Sequence, residues 1–473
     1  MYRTNSAQTP PPDAETAARL ISQCPDIHSS ASAYNLNTWI KRAEYFLTLN
    51  NPELAASDAY KSLLLIERDY NDPENGETSD KIRKANDILS QALYDCHCHA
   101  ELQELRESLA PEAYSSDKFA GINELLSRKE DAAGQLGGTP HEIRDRIRDG
   151  GVLTVYYPWI HERHFTRTQS LINLVNEELE TSSEGPKCYW ARSTLASDGD
   201  NMGMFAAQDL RKGDIILVNR TATATCSTPA SAGCDNCYGP ASGSWVEAPC
   251  CDVKYCSLEC HDLALNTYHK VLCGQDFSWL QNPAKGLTFN ASPLRPLLML
   301  RVLATCIQSG ADRHSLDHPL IARLQPLSDG SHLDVFTFTE SILTPIRILE
   351  QLHVDMFGVT HFDTMVLHTI WIRLANNKAG SPDPKRGFID VISPHLPLFN
   401  HSCEPNVEWK RRDGSSTISF AAKRDVERGA ELFSSYVDVR RMGLEERTRV
   451  LWPWFEGLCL CAKCKRERAA VEA

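Results

Sequence analysis

Seven of this chain's seventeen cysteines crowd between positions 234 and 273, at Cys234, Cys237, Cys250, Cys251, Cys256, Cys260 and Cys273, with His269 among them. This crowding constrains the fold more than any other feature. A segment so short cannot bury enough apolar surface to fold by itself, so a cross-link has to supply the missing energy. Disulfides belong to oxidising compartments. The polar stretch 1–12, closed by three prolines, does not read as a secretory leader. Thiolates clustered with an imidazole in a reducing compartment point to zinc instead. Two sets of four soft donors fit two tetrahedral ions, and metal binding then becomes folding energy. Four further cysteines, Cys403, Cys459, Cys461 and Cys464, form a later concentration of thiols.

The rest of the composition is that of a globular protein, with 42% apolar and 23% charged residues. A length of 473 residues allows about two to four domains. No apolar run approaches the roughly 18 residues of a membrane span, so no membrane partner is expected. A net charge of −13 disfavours direct binding of nucleic acid and suits basic partners such as lysine-rich tails. Within the cysteine-rich segment, Lys254 and Lys270 face Asp235, Glu247, Asp252, Glu259 and Asp262. Phosphate recognition there is disfavoured as well.

Residues 34–65 read as a helical pair, with Trp39, Ala43, Phe46 and Leu47 at helical spacing and a break at Asn50-Asn51-Pro52. A further helix is expected over 82–109 and another over 161–180. Loops are expected at 73–79 and 134–140. From Cys188 onward the texture becomes strand-like at 215–218, 407–410 and 417–420. Asp413-Gly414 marks a hairpin between the last two. The basic run Lys410-Arg411-Arg412 reads as a solvated turn beside it. Residues 293–374 read as mostly helical. Cys96-His97-Cys98-His99 reads as structural rather than chelating, His261 as a surface residue, and the basic stretch 463–468 as a solvated tail. Tyr156-Tyr157-Pro158-Trp159 is expected to pack helices against the later part of the chain.

Three motifs carry a resemblance. Asn400-His401-Ser402-Cys403-Glu404-Pro405-Asn406 is followed about thirty residues on by Glu431-Leu432-Phe433-Ser434-Ser435-Tyr436 and then by Cys459, Cys461 and Cys464. This order resembles the catalytic half of the SET-domain protein lysine methyltransferases. Asn201-Met202-Gly203-Met204-Phe205-Ala206-Ala207, continuing to Gly213-Asp214-Ile215-Ile216, resembles the opening of that domain. Tyr255-Cys256-Ser257 with His269 and Cys273 resembles the MYND zinc finger. A finger inserted within the SET domain is the arrangement of the SET-and-MYND group. The implied fold class is α+β: a SET β-fold interrupted by the finger and a helical insert, preceded by a helical domain. The implied division is a flexible lead at 1–33, tetratricopeptide-like helices at 34–180 and the first part of the SET domain at 187–230. The finger follows at 231–275, a helical insert at 276–395, the catalytic core at 396–440 and a zinc-binding tail at 441–468.

The resemblance also implies chemistry. S-adenosylmethionine is the methyl donor, and the acceptor is a lysine amine of a protein, histone or not. Asn400 and His401 are expected to hold the donor's amino-acid end through side-chain amide and backbone groups, beside Asn201, Met202 and Gly203, with Asn376 adding a polar contact. Asn201 stands where the family has glycine, and asparagine tolerates unusual backbone angles. Gly457 stands where the family places an aromatic residue on the adenine, so Phe455 or Trp454 serves instead. Tyr436 is the expected catalytic residue. The implied zinc sites are Cys234, Cys237, Cys256 and Cys260; then Cys250, Cys251, His269 and Cys273; then Cys403, Cys459, Cys461 and Cys464. The adjacent Cys250-Cys251 departs from the family's Cys-x2-Cys, leaving open whether both serve, and Glu247 stands where an earlier cysteine belongs. Fingers of this kind often bind proline-rich peptides. The location is nuclear or cytoplasmic. The competing reading is a SET-and-MYND scaffold without turnover.

Overall fold

The computed structural model describes residues 14–25, 32–69, 76–110, 113–114, 121–135, 137, 143, 146–153, 157–182, 184–193, 195, 201–227, 233–241, 243–281, 294–310, 313–324, 333–383, 387–411, 417–455 and 459–472. The chain forms two compact units, each gathered from separated segments. One comprises Met1–Ile160, Gln275–Pro296 and Leu333–Trp371; the other comprises His161–Gly274, Leu297–His332 and Ile372–Ala473. Among the described residues no helix is long and apolar enough to cross a membrane.

In the first unit, Leu36–Thr48 and Pro52–Asp69 form the expected helical pair. The side chain of Asn35 caps the first helix by accepting from the Asn37 amide at 3.0 Å. Asn50, at φ 59°, turns the chain in the left-handed region that asparagine tolerates. Trp39, Ala43 and Phe46 face inward, and beside them lies a buried charge cluster. Arg42 makes paired bonds to Asp58 at 2.6 and 2.8 Å and to Asp363 at 2.8 and 2.9 Å. Lys61 approaches Asp363 at 3.5 Å, which balances two cations against two carboxylates. The helices that follow, of 20, 10 and 14 residues, do not repeat the 13-and-18-residue pair.

Three sequence expectations are corrected in this unit. The helix over 82–109 is two helices, Gly76–Asp95 and His99–Ser108, broken at Cys96-His97-Cys98. His97 sits at φ 59°. Strand Gly150–Leu153 passes directly over the break, where Gly151 donates to the Cys96 carbonyl at 2.8 Å. A Cβ on Gly150 would overlap that carbonyl and lie 2.6 Å from Cys98 Sγ, so only glycine fits. Cys96 and Cys98 are fully buried there, in keeping with a structural role. Gly76–Ser79, expected as loop, opens helix Gly76–Asp95, where Glu77 and Lys81 pair one turn apart at 2.7 Å; 73–75 lie outside the described residues. Gly134 likewise belongs to helix Ile122–Gln135, and most of 136–142 is outside the described residues. Tyr157 packs within this unit, its hydroxyl 2.8 Å from Glu53 and 2.6 Å from His368 Nδ1; Tyr156 is outside the described residues. Among the described residues, 293–374 is mostly helical as expected, and its strand Leu333–Phe336 pairs in this unit with Gly150–Leu153.

The second unit holds the strands. The helix expected over 161–180 is a single 3-10 turn, Glu162–His164, and then Gln169–Glu180. Thr168 starts the latter by accepting from the Leu171 amide at 3.3 Å. The expected strands are Ile215–Arg220, Val407–Arg411 and Thr417–Ala422, antiparallel neighbours in one sheet. The tip at Asp413-Gly414, with Arg412, is outside the described residues. A second sheet runs in the order Asn400–His401, Glu431–Ser434, Met202–Ala206, Cys188–Arg192. A third contains Thr223–Cys226, Gly387–Ile392 and Ala379–Asp383. Phe399 is fully buried and stacks on Phe420 with ring centroids 4.7 Å apart. That contact anchors the start of the Asn400–Asn406 motif in the core.

Candidate active site and cysteine quartets

The two motifs that lie thirty residues apart in sequence meet edge to edge. Asn400 and His401 pair in parallel with Phe433 and Ser434, and the Ser402 amide donates to the Ser434 carbonyl at 2.8 Å. Asn406 extends the seam with its side chain. Its Nδ2 donates to the Glu431 carbonyl at 2.8 Å, and its Oδ1 accepts from the Phe433 amide at 2.6 Å. The amide thus stands in for a strand neighbour, satisfying one donor and one acceptor of the edge.

Asn400 is held from a second side. Its Nδ2 donates to the Met202 carbonyl at 2.9 Å and to Glu431 Oε1 at 2.7 Å. Both amide hydrogens are therefore committed, and Oδ1 is the atom left to receive a ligand's donor. Ser193 Oγ lies 2.9 Å from each oxygen of the same carboxylate. Burial raises the Glu431 carboxyl above its ordinary range, and the bonds from Asn400 and Ser193 oppose the rise. Gly203 lies against this cluster. A Cβ there would overlap Glu431 Oε1 and come within 3.0 Å of Asn400 Nδ2. Asn201 does not need the tolerance expected of it, because the described non-glycine residues with positive φ are Asn50, His97, Tyr238 and His353.

Tyr436 follows the seam. Its amide donates to His401 Nδ1 at 3.0 Å, and the two rings lie 5.2 Å apart. Trp454 packs edge-on against Tyr436 at 5.8 Å and donates from Nε1 to the Asn376 carbonyl at 3.3 Å. Asn376 is thereby brought beside the tyrosine through its backbone. The side chain of Phe455 and all of Gly457 lie outside the described residues. Burial raises the Tyr436 phenol, and the charge of Arg167 opposes the rise.

The cysteines gather into three quartets, and in each the ligand atoms lie within 4.8 Å of one another. The first is Cys234, Cys237, Cys256 and Cys260. Tyr238, at φ 57°, curls the knuckle so that the Gly239 amide donates to Cys237 Sγ at 3.2 Å. Ser257 caps helix Leu258–Thr267 by accepting from the Cys260 amide at 3.3 Å, which sets Cys256 and Cys260 on one end of it. The second quartet is Cys250, Cys251, His269 and Cys273. Both adjacent thiols face His269 Nε2, at 3.2 and 3.5 Å. Glu247 takes no part; it pairs with Lys254 at 3.2 Å on the facing strand. His261 stays outside too, bonded to Asp262 at 2.8 Å. The third quartet is Cys403, Cys459, Cys461 and Cys464, all buried.

The donor chemistry fits zinc. Ideal tetrahedral Zn–S bonds of about 2.3 Å place sulfurs ~3.8 Å apart, close to the 3.5 and 3.6 Å of the first quartet and the 3.6 Å between Cys403 and Cys464. Hydrogen bonding to Cys459 and Cys461, reinforced by burial, pushes the Cys403 thiol far up. Contacts with Cys403 and Cys459 push Cys461 down. Four thiols so packed do not all ionise without a cation among them, which is the demand a metal ion meets. His269 Nδ1 meets the Tyr255 hydroxyl at 2.9 Å, the kind of outer contact that orients a metal-binding imidazole.

The SET-domain family profile matches residues 201–437, half of the chain, and so spans every strand of the seam just described. The chain belongs to the SET-domain family. Its relatives carry it into the SET-and-MYND group. It is 22% identical over 361 residues to the human protein-lysine N-trimethyltransferase SMYD5, covering 58% of this chain and 86% of that one. It is 24% identical over 276 residues to the chicken (Gallus gallus) N-lysine methyltransferase SMYD2, covering 57% and 59%. A shorter match of 45% over 72 residues joins it to the histone-lysine N-methyltransferase SET5 of Yarrowia lipolytica, covering 15% of this chain and 16% of that one. The chain therefore spans less than two thirds of the Yarrowia and chicken SMYD2 proteins. Two residues of the SET site had no signal in the sequence. Arg167 lies upstream of every motif, and Arg447, from helix Leu444–Phe455, approaches Cys464 Sγ at 3.8 Å.

Proposed function

We propose that this SET-domain chain transfers a methyl group from S-adenosylmethionine to the ε-amine of a lysine in a protein substrate. The observation that supports the reading is the parallel seam of Asn400-His401 with Phe433-Ser434, beside which the Tyr436 amide bonds to His401 Nδ1 and Gly203 lies against Asn400. The donor supplies an electrophilic methyl on a positive sulfonium. Asn400 Oδ1, its amide hydrogens already engaged by Met202 and Glu431, would accept from the donor's ammonium. Met202, Gly203 and Asn201 would offer backbone groups beside it, and His401 its main chain.

The acceptor has to be a neutral amine, although a free lysine has a pKa near 10.4. Tyr436 and Trp454 form an aromatic wall whose low polarity disfavours the ammonium. The positive charge of Arg167, felt at Tyr436, adds to that bias. The Tyr436 phenol stays protonated because burial raises it. Its oxygen would then orient the amine lone pair and accept weak C–H contacts from the methyl. Zinc in the three quartets would act as a structural cross-link, the third tying the tail beside Tyr436.

At the finger, Trp245 and Leu258 are exposed apolar side chains, each of a kind that a proline-rich peptide would pack on. Three thiolate sites call for a reducing compartment, nucleus or cytosol. The test is Tyr436→Phe. Binding of S-adenosylmethionine, measured by calorimetry, stays within about twofold, while labelled methyl transfer to a protein extract falls about 100-fold or more. Equal transfer by the variant removes Tyr436 from the chemistry.

A further inference from the structure

His401 sits between the third quartet and Tyr436, and both of its ring nitrogens are used. Nδ1 faces the Tyr436 amide at 3.0 Å, and Nε2 faces Cys403 Sγ at 3.3 Å. The ring is 97% removed from solvent, with 3% relative exposure. A backbone N–H only donates, so Nδ1 has to offer its lone pair. A cysteine that ligates a metal is a thiolate and only accepts, so Nε2 has to carry the hydrogen. The two ends demand the same neutral tautomer independently.

We propose that His401 is a positioning residue that ties the loading of the third quartet to the placement of Tyr436. With Cys403 engaged on the ion, the Nε2–H bond to its sulfur sets the ring's rotation and its tautomer. Nδ1 is then aimed at the Tyr436 amide, which fixes where the phenol starts. The rest of the surroundings supports this direction of influence. Arg447, 2% exposed, donates toward Cys464 of the same quartet and pairs with Glu467. The quartet thus has a further outer contact at Cys464, and the imidazole joins Cys403 to the Tyr436 amide. The adjacent strand pairing holds only the main chain of residues 400 and 401; it does not choose the tautomer. The coupling rests on the methyl-transfer reading only in its kinetic arm.

Two variants separate the two ends of the ring. In His401→Asn the side-chain oxygen sits near the place of Nδ1, keeping the acceptor for Tyr436 and losing the donor to Cys403. In His401→Gln the amide reaches the place of Nε2, keeping the donor and losing the acceptor. The full chain, loaded with zinc and labelled with [15N]histidine, is read by long-range ¹H–¹⁵N spectra, the His401 signal being assigned by its loss in either variant. The expected result is a neutral ring with hydrogen on Nε2. A ring with hydrogen on Nδ1, or on both nitrogens, overturns the proposal. Zinc competition with a chelator should show one ion of His401→Asn held about 10- to 100-fold more weakly, with His401→Gln close to wild type. Turnover should fall in both variants, kcat of His401→Gln by about tenfold or more at nearly unchanged affinity for S-adenosylmethionine, and in neither should it follow the loading of the third quartet as it does in the wild type. Two variants that behave alike in both measurements also overturn it. If the wild type moves no methyl but shows the Nε2–H tautomer and the split in zinc retention, the transfer reading falls and the coupling stands. Transfer with the opposite tautomer leaves the transfer reading and removes the coupling.

Discussion

Gly203→Ala adds one carbon at the most crowded point of the SET seam. That carbon would overlap Glu431 Oε1 and sit 3.0 Å from Asn400 Nδ2. The Glu431 carboxylate has to swing away, although Ser193 holds both its oxygens at 2.9 Å and Asn400 holds one at 2.7 Å. Losing the charged Asn400–Glu431 bond costs about 1.5–3 kcal/mol. It also releases the amide whose Oδ1 would receive the methyl donor. A cost of about 2 kcal/mol corresponds to ~30-fold in affinity. Calorimetric titration with S-adenosylmethionine should therefore show Gly203→Ala weakened by about 10- to 100-fold. A double-mutant cycle isolates the cause. In a Glu431→Ala background the colliding oxygen is gone, and adding Gly203→Ala should weaken binding only a few-fold further. The reasoning fails if Gly203→Ala binds within about threefold of wild type, or if its penalty is equal in both backgrounds.

Other outcomes follow from features already described. Asp363→Asn leaves the buried Arg42 and Lys61 facing Asp58 alone and should lower stability by about 3–5 kcal/mol in urea unfolding. Glu53, buried beside Tyr157, has its carboxyl raised to about 7 chiefly by burial. The native state therefore holds that proton more tightly than the unfolded chain. The wild type loses stability as pH rises from about 4.5 through 7, by about 3 kcal/mol in all. Glu53→Gln has no such loss, so its stability relative to wild type should climb by that amount between about pH 4 and pH 8; a flat difference would contradict the assigned burial. His368, lowered to about 4 by burial, contributes with the opposite sign in both proteins and cancels from the comparison. Tyr255→Phe removes the partner of His269 Nδ1 and should weaken one zinc ion about 10- to 100-fold against a chelator while the other two hold.

The local chemistry was legible in the sequence wherever spacing alone decides it. The Cys-x2-Cys and Cys-x3-Cys spacings marked metal-type knuckles, while the sorting into quartets came from the family resemblance; the structure gathers those donors, with Cys250 and Cys251, left open before, both beside His269. The strands at 215, 407 and 417 were legible as strand-like runs set between turn signals, and Thr417–Ala422 alternates buried and half-buried residues. What escaped notice depends on partners far apart in sequence. Nothing near residue 97 announces that a strand from residue 150 will press on the chain there and break a helix. Arg42 and Asp363 are separated by 321 positions, so no periodicity links them. His401 reads as one more residue of a cofactor motif. Only the fold reveals that its ring faces a sulfur on one side and a backbone amide on the other. The two compact units interleave along the chain, an arrangement that linear division of the sequence does not reach.

The third quartet draws one donor from residue 403 and the others from 459 to 464, whereas the finger's eight donors end at residue 273. On a ribosome these sites mature at different times. The finger has its full set of donors roughly 190 residues before the third quartet has its own, an interval on the order of ten to forty seconds at about 5–20 residues per second. Cys403 itself is made about 130 residues into that interval and waits roughly 60 residues more for its partners. A nascent chain therefore completes both donor sets of the finger well before the set beside Tyr436 can close.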